Sequence, residues 1–485
     1  MKKSLVTPLL LALLALPVMA QEPTDTDKRI RDLEKQVQAL QKKDAAKAEA
    51  KAEQAKPAAD VKTEAKAEGK KSSKAKDPDI DGISAKLTGR AYLDGIWFSG
   101  SNNRLLGGTM IKTARLGFEL NLGSKWAAEA DFELSGGEVG YKTIMVEYIG
   151  FKDQVIQAGH QKVPMGFETL MSNTNIWLME RSFADIWNPS RHVGIYYSIS
   201  NDRLYAKAGI FGQSLDDTVG NYNTASDLGY KMVDNHGYGA ALRVAGLPLK
   251  QDDTHLIHLG AAVSDWMPAA GAPGVYAVDF SGRPSVAKIN GAKFLNAGVT
   301  NVNDQLLIGA EFAGQWGGFS WLGEYEWMKV NRKSAPNMVW DSTNLKLIPS
   351  TAAQRANGVI DHDFSTWYFQ VSYVFNGQKA YVADNSFVFK STTPKTKAGA
   401  VELVARYEVG TQDDLTDVDP VKGGIEKITT LGVNYYPRKN LRFMVNYSFV
   451  DNNENAMANK GYSPTGAKIQ DPSFQIFSSR VAFNF

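Results

Sequence analysis

Residues 111–134 read IKTARLGFELNLGSKWAAEADFEL. On an extended chain Ala114, Leu116, Phe118, Leu120 and Leu122 fall on one face, with Thr113, Arg115, Gly117, Glu119 and Asn121 on the other. After Gly123-Ser124 the pattern resumes, and Trp126, Ala128, Ala130, Phe132 and Leu134 oppose Lys125, Glu129, Asp131 and Glu133. Successive side chains of a strand point to opposite faces, so period 2 with charge on one face is a strand signature. Residues 441–449 repeat it, with Leu441, Phe443, Val445, Tyr447 and Phe449 against Arg442, Asn446 and Ser448.

A soluble sandwich also alternates, with its charges toward water. Three features select a membrane barrel instead. The segments are about ten residues long, as a tilted membrane strand requires. Aromatic residues gather at the ends of the apolar faces (Trp97–Phe98, Trp316, Trp321, Trp327, Trp367 and Tyr435–Tyr436), which suits interfacial girdles. Lys2 and Lys3 precede LLLALLAL and then Val18-Met19-Ala20, which predicts a secretory signal peptide over residues 1–20, cut after Ala20.

The expected fold is therefore all-β, a transmembrane antiparallel β-barrel of about sixteen strands spanning 82–485. Short breaks such as Gly123–Ser124, Asn201–Asp202 and Gly317–Gly318 alternate with long loops at 213–235, 266–304, 331–363 and 451–471. An even strand count with that alternation puts the long loops outside and both termini in the periplasm. One connection, 376–397, is too long for a short turn and has room for an extra hairpin. The last strand ends Val481-Ala482-Phe483-Asn484-Phe485, and its terminal Phe resembles the signal read by outer-membrane assembly machinery.

Ahead of the barrel, Ile30, Leu33, Val37 and Leu40 repeat at 3,4,3 spacing, which predicts a short coiled-coil helix over 21–43. Two heptads are too short to hold alone in water and need chains already brought together. Residues 44–81 are rich in Ala, Lys and Glu, and read as a flexible periplasmic tether whose lysines are candidates for contact with the cell wall.

Residues 162–190, KVPMGFETLMSNTNIWLMERSFADIWNPS, break the alternation. Phe167, Leu170, Met171, Ile176, Trp177, Leu178 and Met179 follow no period 2, and a solvated loop has no use for that much apolar mass. A constriction loop folded into the barrel and packed on its inner wall does. An external loop that contains a helix or meets another subunit is the alternative.

Bulk composition narrows the function. The chain has no cysteine, which excludes disulfides and thiol chemistry. Residues 1–79 hold 17 basic and 13 acidic side chains, leaving 37 of the 54 basic and 39 of the 52 acidic to residues 80–485. A slightly acidic body gives no sign of nucleic-acid binding. Beyond the leader no apolar run is long enough for a transmembrane helix.

Gly159-His160-Gln161-Lys162-Val163-Pro164-Met165-Gly166, followed by Leu178-Met179-Glu180-Arg181-Ser182, resembles the phosphate-selective porin O and P family. So do residues 401–407, VELVARY, and 431–436, LGVNYY, with Asn446-Tyr447. The resemblance covers roughly residues 80–485 and implies a trimeric sixteen-stranded porin whose third external loop enters the bore. For phosphate-specific members it implies a ladder of arginines along the bore and a lysine cluster in the vestibule. Here the 14 arginines of residues 80–485 are scattered, without a dense run.

The strand register sends both signs into the lumen. Lys86, Arg90, Arg115, Arg203, Lys207, Arg243, Arg406, Arg442 and Arg480 point there, with Asp94, Glu119, Glu129, Asp131, Glu133, Glu147, Glu311, Glu324, Glu326, Glu402 and Glu408. In the loop, Lys162 and Arg181, with Arg191 just after it, are candidates for an anion-attracting side, and Glu168, Glu180 and Asp185 oppose them or pair with them. Arg90, Arg115, Arg203 and Lys207 are candidates to lead an anion inward, weakly enough to release it. For each the plainer reading is a salt bridge to a neighbouring strand, and Glu180 with Arg181 can equally lock the loop to the wall.

The expected activity is passive diffusion of small hydrophilic solutes, with anions such as phosphate or polyphosphate as candidates. A general, weakly selective porin and a structural barrel contacting the cell wall through residues 44–81 are the alternatives. The expected partners are the outer-membrane lipid bilayer and two further copies of the chain. No cofactor or metal is expected. His255 and His258 lie on opposite faces of one strand, which argues against joint ligation, and there is neither a G-x-S-x-G elbow nor a P-loop.

Overall fold

The computed structural model describes residues 82–485 except 101–104, 137–138, 213, 216–236, 269–276, 283–291, 334–337, 342–345, 353–358, 384–385, 417–418 and 458–471. The leader, coiled-coil and tether readings lie outside the described residues.

In chain order the strands are β1 (Ile83–Ser99), β2 (Gly108–Leu122), β3 (Trp126–Glu133), β4 (Gly140–Phe151), β5 (Gln154–Lys162), β6 (Arg191–Ser200), β7 (Leu204–Phe211) and β8 (Tyr238–Asp252). Then come β9 (His255–Met267), β10 (Ala277–Gly282), β11 (Leu295–Thr300), β12 (Val302–Trp316), β13 (Phe319–Arg332), β14 (Met338–Asp341) and β15 (Lys346–Pro349). The chain finishes with β16 (His362–Phe375), β17 (Gly377–Val382), β18 (Val388–Pro394), β19 (Ala400–Asp414), β20 (Val421–Arg438), β21 (Leu441–Asn452) and β22 (Ser473–Asn484). Sixteen of them close an antiparallel barrel, β1–β9 followed by β12, β13, β16 and β19–β22, with β22 pairing back onto β1. Three two-stranded sheets stand outside this ring: β10–β11, β14–β15 and β17–β18.

The sixteen alternating segments of the sequence are these sixteen strands. The outward faces carry the predicted apolar set: Leu116, Phe118, Leu122, Phe443, Val445, Tyr447 and Phe449 are all exposed. The girdle reading needs one correction. Neighbours on a strand cannot share a face, so Trp97 and Tyr435 point outward while Phe98 packs on buried Phe474 and Tyr436 donates to Glu402 inside. Tight turns at one end use left-handed backbone at Gly123 (φ 70°), Asp153 (φ 60°) and Gly317 (φ 60°), where the reversal requires it. At that end Phe485 closes the ring, exchanging backbone hydrogen bonds of 3.0 and 3.1 Å with Gly89 on β1.

The seam between first and last strands is also closed by charge. Arg480 on β22 grips Asp94 on β1 with two bonds, Nε to Oδ1 at 2.7 Å and Nη2 to Oδ2 at 2.8 Å, and both residues are buried. Such a fork fixes geometry as well as charge.

The bore is filled from both ends. The segment between β5 and β6 contains two single-turn helices, α1 (Phe167–Leu170) and α2 (Ala184–Trp187), and lies against the inner wall. From the tight-turn end, the β16–β19 connection sends in the β17–β18 hairpin, the extra hairpin for which 376–397 had room. Phe167, Met171, Ile176, Trp177 and Leu178 of the segment pack with Tyr381, Phe387, Val388 and Phe389 of the hairpin and with wall residues Tyr205, Leu256, Leu322, Tyr368 and Val404 in one buried cluster. From the long-loop end β11 packs within the barrel, where Leu295 meets Gly410 and Ala297 meets Gly423.

Candidate functional site: an eccentric, cation-rich passage

The inserted segment is held chiefly through its backbone. Gly166 starts it at φ 70°, left-handed backbone open to glycine, and any Cβ there would lie 2.2 Å from Asn188 Nδ2. Wall carboxylates take its N–H groups: Glu324 accepts from Phe167 and Glu168, and Glu408 from Phe183 at 2.9 Å. Wall cations and amides take its carbonyls. Arg442 donates to Ile176 O at 2.8 Å, Asn434 to Trp177 O at 2.7 Å, Arg480 to Met179 O, and Arg406 to Glu180 O at 3.0 Å. Irregular backbone away from water must have its polar groups satisfied, and this wall satisfies them. Where a wall side chain would be in the way there is glycine: a Cβ on Gly432 would meet Leu178 Cδ2 at 2.5 Å.

Four of the arginines expected along the lumen are spent in this way. Arg406, Arg442 and Arg480 lie under the segment. Arg243 lies under the hairpin, paired with Glu311 at 2.8 Å and donating to Ser386 O. They point inward, as period 2 requires, but are covered.

The loop candidates are knitted together. Glu168 is buried and accepts from Ser182 N–H at 2.7 Å, with Arg406 3.6 Å away. Arg181 donates to Glu168 O and Met171 O and faces Asp185 at 3.5 Å. Glu180 meets Lys112 at 2.8 Å and Arg480 at 2.9 Å. Burial alone would raise the Glu180 pKa, but the two cations outweigh it and hold the group at about 2 instead of the usual 4.5. A depressed folded-state pKa stabilises above the unfolded value and is lost as pH falls through the folded one. The tie at Glu180 therefore weakens from about pH 4.5 downward and is gone near pH 2. Current recordings across pH 5 to 2 will show growing flicker in the wild type, whereas Glu180→Gln flickers already at neutral pH and does not change over that window.

Arg203 is not on a strand. It sits in the β6–β7 turn, its guanidinium on the carbonyls of Leu247 and Lys250, because Asn201 Oδ1 caps the turn through the N–H groups of Arg203 and Leu204.

The remaining five candidates converge. Arg90, Arg115, Lys162, Arg191 and Lys207 line one cavity of about 400 Å³ between the β1–β7 wall, the inserted segment and the hairpin. Lys390 of the hairpin adds a sixth cation, against three carboxylates, Glu129, Asp131 and Glu147. Amides and hydroxyls, among them Gln157, Gln161, Ser172, Asn173, Asn175 and Ser386, add to the polar lining. Arg115 pairs with Glu133 at 2.9 Å and with Asp131 at 3.4 Å, and Arg90 lies 3.8 Å from Asp131. Lys162 donates to Thr169 O and, at 2.7 Å, to Met171 O; Lys207 donates to Gln157 and Gln161. Lys390 has a sequence signal after all: Tyr381, Phe387 and Phe389 put bulky aromatic mass into a connection that looks like a turn, the same mark that distinguishes residues 162–190.

A closed sixteen-stranded barrel with an apolar outer face, a polar interior and an inserted segment beside a charged cavity defines an outer-membrane porin. The family model described as phosphate-selective porin O and P matches residues 92–485, and the chain belongs to that family. It is an outer-membrane channel of the Gram-negative envelope. No curated protein matches it. Similar solved structures include the in-vitro folded trimer form of OmpT, an outer membrane protein of Vibrio cholerae, at 11% identity and TM-score 0.46, covering 84% of this chain and 100% of that one. The anion-selective porin from Comamonas acidovorans is similar at 14% identity and TM-score 0.46, covering 83% and 100%. The outer membrane channel DcaP of Acinetobacter baumannii is similar at 11% and 0.45, covering 83% and 98%.

Proposed function

We propose that this channel passes small hydrophilic solutes by passive diffusion with a weak preference for anions, through a constriction formed by residues 162–190 and the β17–β18 hairpin. The observation that carries this reading is the lining of the cavity, six cations to three carboxylates. Arg90, Arg115, Lys162, Arg191 and Lys207 attract the anion from the wall and Lys390 from the opposite side. Rings of one sign at a narrow point set selectivity, and here the excess is positive but diluted by Glu129, Asp131 and Glu147. Commitment of Arg243, Arg406, Arg442 and Arg480 to carboxylates and carbonyls argues for weak selectivity over a dedicated phosphate ladder. Family membership supports a homotrimer. The leader at 1–20, the coiled segment at 21–43 and the tether at 44–81 complete the reading, with the tether reaching toward the cell wall.

Reversal potentials of single channels in a potassium chloride gradient test it. Chloride is expected to pass more readily than potassium, and Lys207→Gln to lower that ratio by about fivefold, the effect of one charge at roughly 4 Å in water. Cation preference in the wild type would sink the reading.

A further inference from the structure

The charges around the cavity are sorted. Asp131 and Glu133 are answered by Arg90 and Arg115. Glu129 on β3 and Glu147 on β4 are not so paired: among the described residues Glu129 makes no hydrogen bond or ion pair and feels the Arg191 guanidinium only through space, and Glu147 accepts only from Gln157 Nε2. Opposite them, Lys162 and Lys207 have no carboxylate partner among the described residues and donate only to carbonyl and amide oxygens.

Gln157 keeps the two sets apart. Its Nε2 donates to Glu147 and its Oε1 accepts from Lys207. The carboxylate fixes the N–H end and the ammonium fixes the oxygen end, so this amide stands as a spacer of one orientation between them. Opposite charges brought this close, Glu147 from β4 and Lys207 from β7, would otherwise collapse into a salt bridge. Separated by an amide, they leave a standing field across the passage, in a site whose walls screen it less than bulk water does.

From this arrangement we infer that the channel favours zwitterions, small amino acids carrying one ammonium and one carboxylate, with the ammonium toward Glu129 and Glu147 and the carboxylate toward Lys162 and Lys207. The inference rests on the porin reading above and names a solute class for its constriction. A simple anion gains from the lysines but meets two open carboxylates. A neutral polar solute gains only hydrogen bonds. A zwitterion of matching span meets both sets at once, and it needs no counterion to cross.

Swelling of liposomes containing the purified full-length channel provides the test. The solutes are β-alanine, its neutral isomer lactamide, and lactate as the anion. Each rate is divided by the lactamide rate of the same variant, so differences in folding or open area cancel. The wild type is expected to admit β-alanine faster than lactamide. Glu129→Gln combined with Glu147→Gln is expected to lower the β-alanine ratio about thirtyfold, as for two charges at roughly 4 Å, and Lys207→Gln separately to lower it about fivefold, as for one. In the double variant the lactate ratio rises. A wild-type β-alanine ratio at or below one overturns the inference, as does a ratio that neither variant moves. The anion preference is read separately from reversal potentials, so either proposal can fail alone; failure of all three solutes to enter overturns both.

Discussion

Arg480→Met is expected to lower barrel stability by about 3–5 kcal/mol, the loss seen when one partner of a buried ion pair is removed. The substitution keeps the volume and removes every bond. Asp94 then stays buried at the β1–β22 seam without its fork, Met179 O loses its donor, and Glu180 keeps only Lys112. Heat-modifiability on gels, which separates folded from unfolded barrel, reads the effect as a lower conversion temperature. The double variant Asp94→Leu with Arg480→Met should recover part of the loss, because two apolar groups of similar shape remove the stranded charge. An unchanged conversion temperature in the single variant would show that the seam does not depend on this pair.

Trp177→Ala is expected to enlarge the channel. Trp177 is buried where the inserted segment meets the hairpin, with Phe389 at 5.3 Å between ring centroids and the Lys379 ammonium 3.3 Å from its ring centre. Truncation of a buried aromatic costs about 3–5 kcal/mol, and here most of that falls on the docking of segment to hairpin. The sixteen barrel strands should keep their pairing, so the variant inserts into bilayers but shows a larger unit conductance and additional current levels. Trp177→Phe keeps a ring for Phe389 and Lys379 and should lie much closer to wild type. Identical single conductance levels in Trp177→Ala and wild type would mean that this contact does not hold the bore narrow.

Much of this architecture is legible in the sequence because a membrane barrel writes its two solvents into alternate residues. Leu116 and Phe118 face outward, Arg115 and Glu119 inward, and no tertiary knowledge is needed to sort them. The inserted segment is legible for a related reason: Trp177 and Met179 have no strand face to occupy, yet need somewhere dry. The site is only half legible. Period 2 tells which way Arg406, Arg442 and Arg480 point but not what covers them, and the cover comes from backbone carbonyls of residues 176–181, which have no side-chain signature. Lys390 belongs to the hairpin, whose place in the bore depends on packing between residues more than two hundred positions apart, as in the contact of Phe389 with Phe167. Arg203 looks like a strand residue until Asn201 caps the turn before it.

The cavity proposed as the passage lies beside β1–β7, and among the described residues only Ser386, Val388 and Lys390 line it from later in the chain. From β8 onward the inner wall mostly meets protein. On the proposed route, changes of charge at cavity-lining positions such as Glu129, Glu147 and Arg191 meet the solute, whereas Asp94, from the same half of the chain, belongs to the β1–β22 seam. Changes on the inner face of the later strands meet the chain's own backbone and are judged first by whether the barrel holds together. A lineage of such channels can diversify its diet at the cavity-lining positions while the seam and the later strands keep the structure standing.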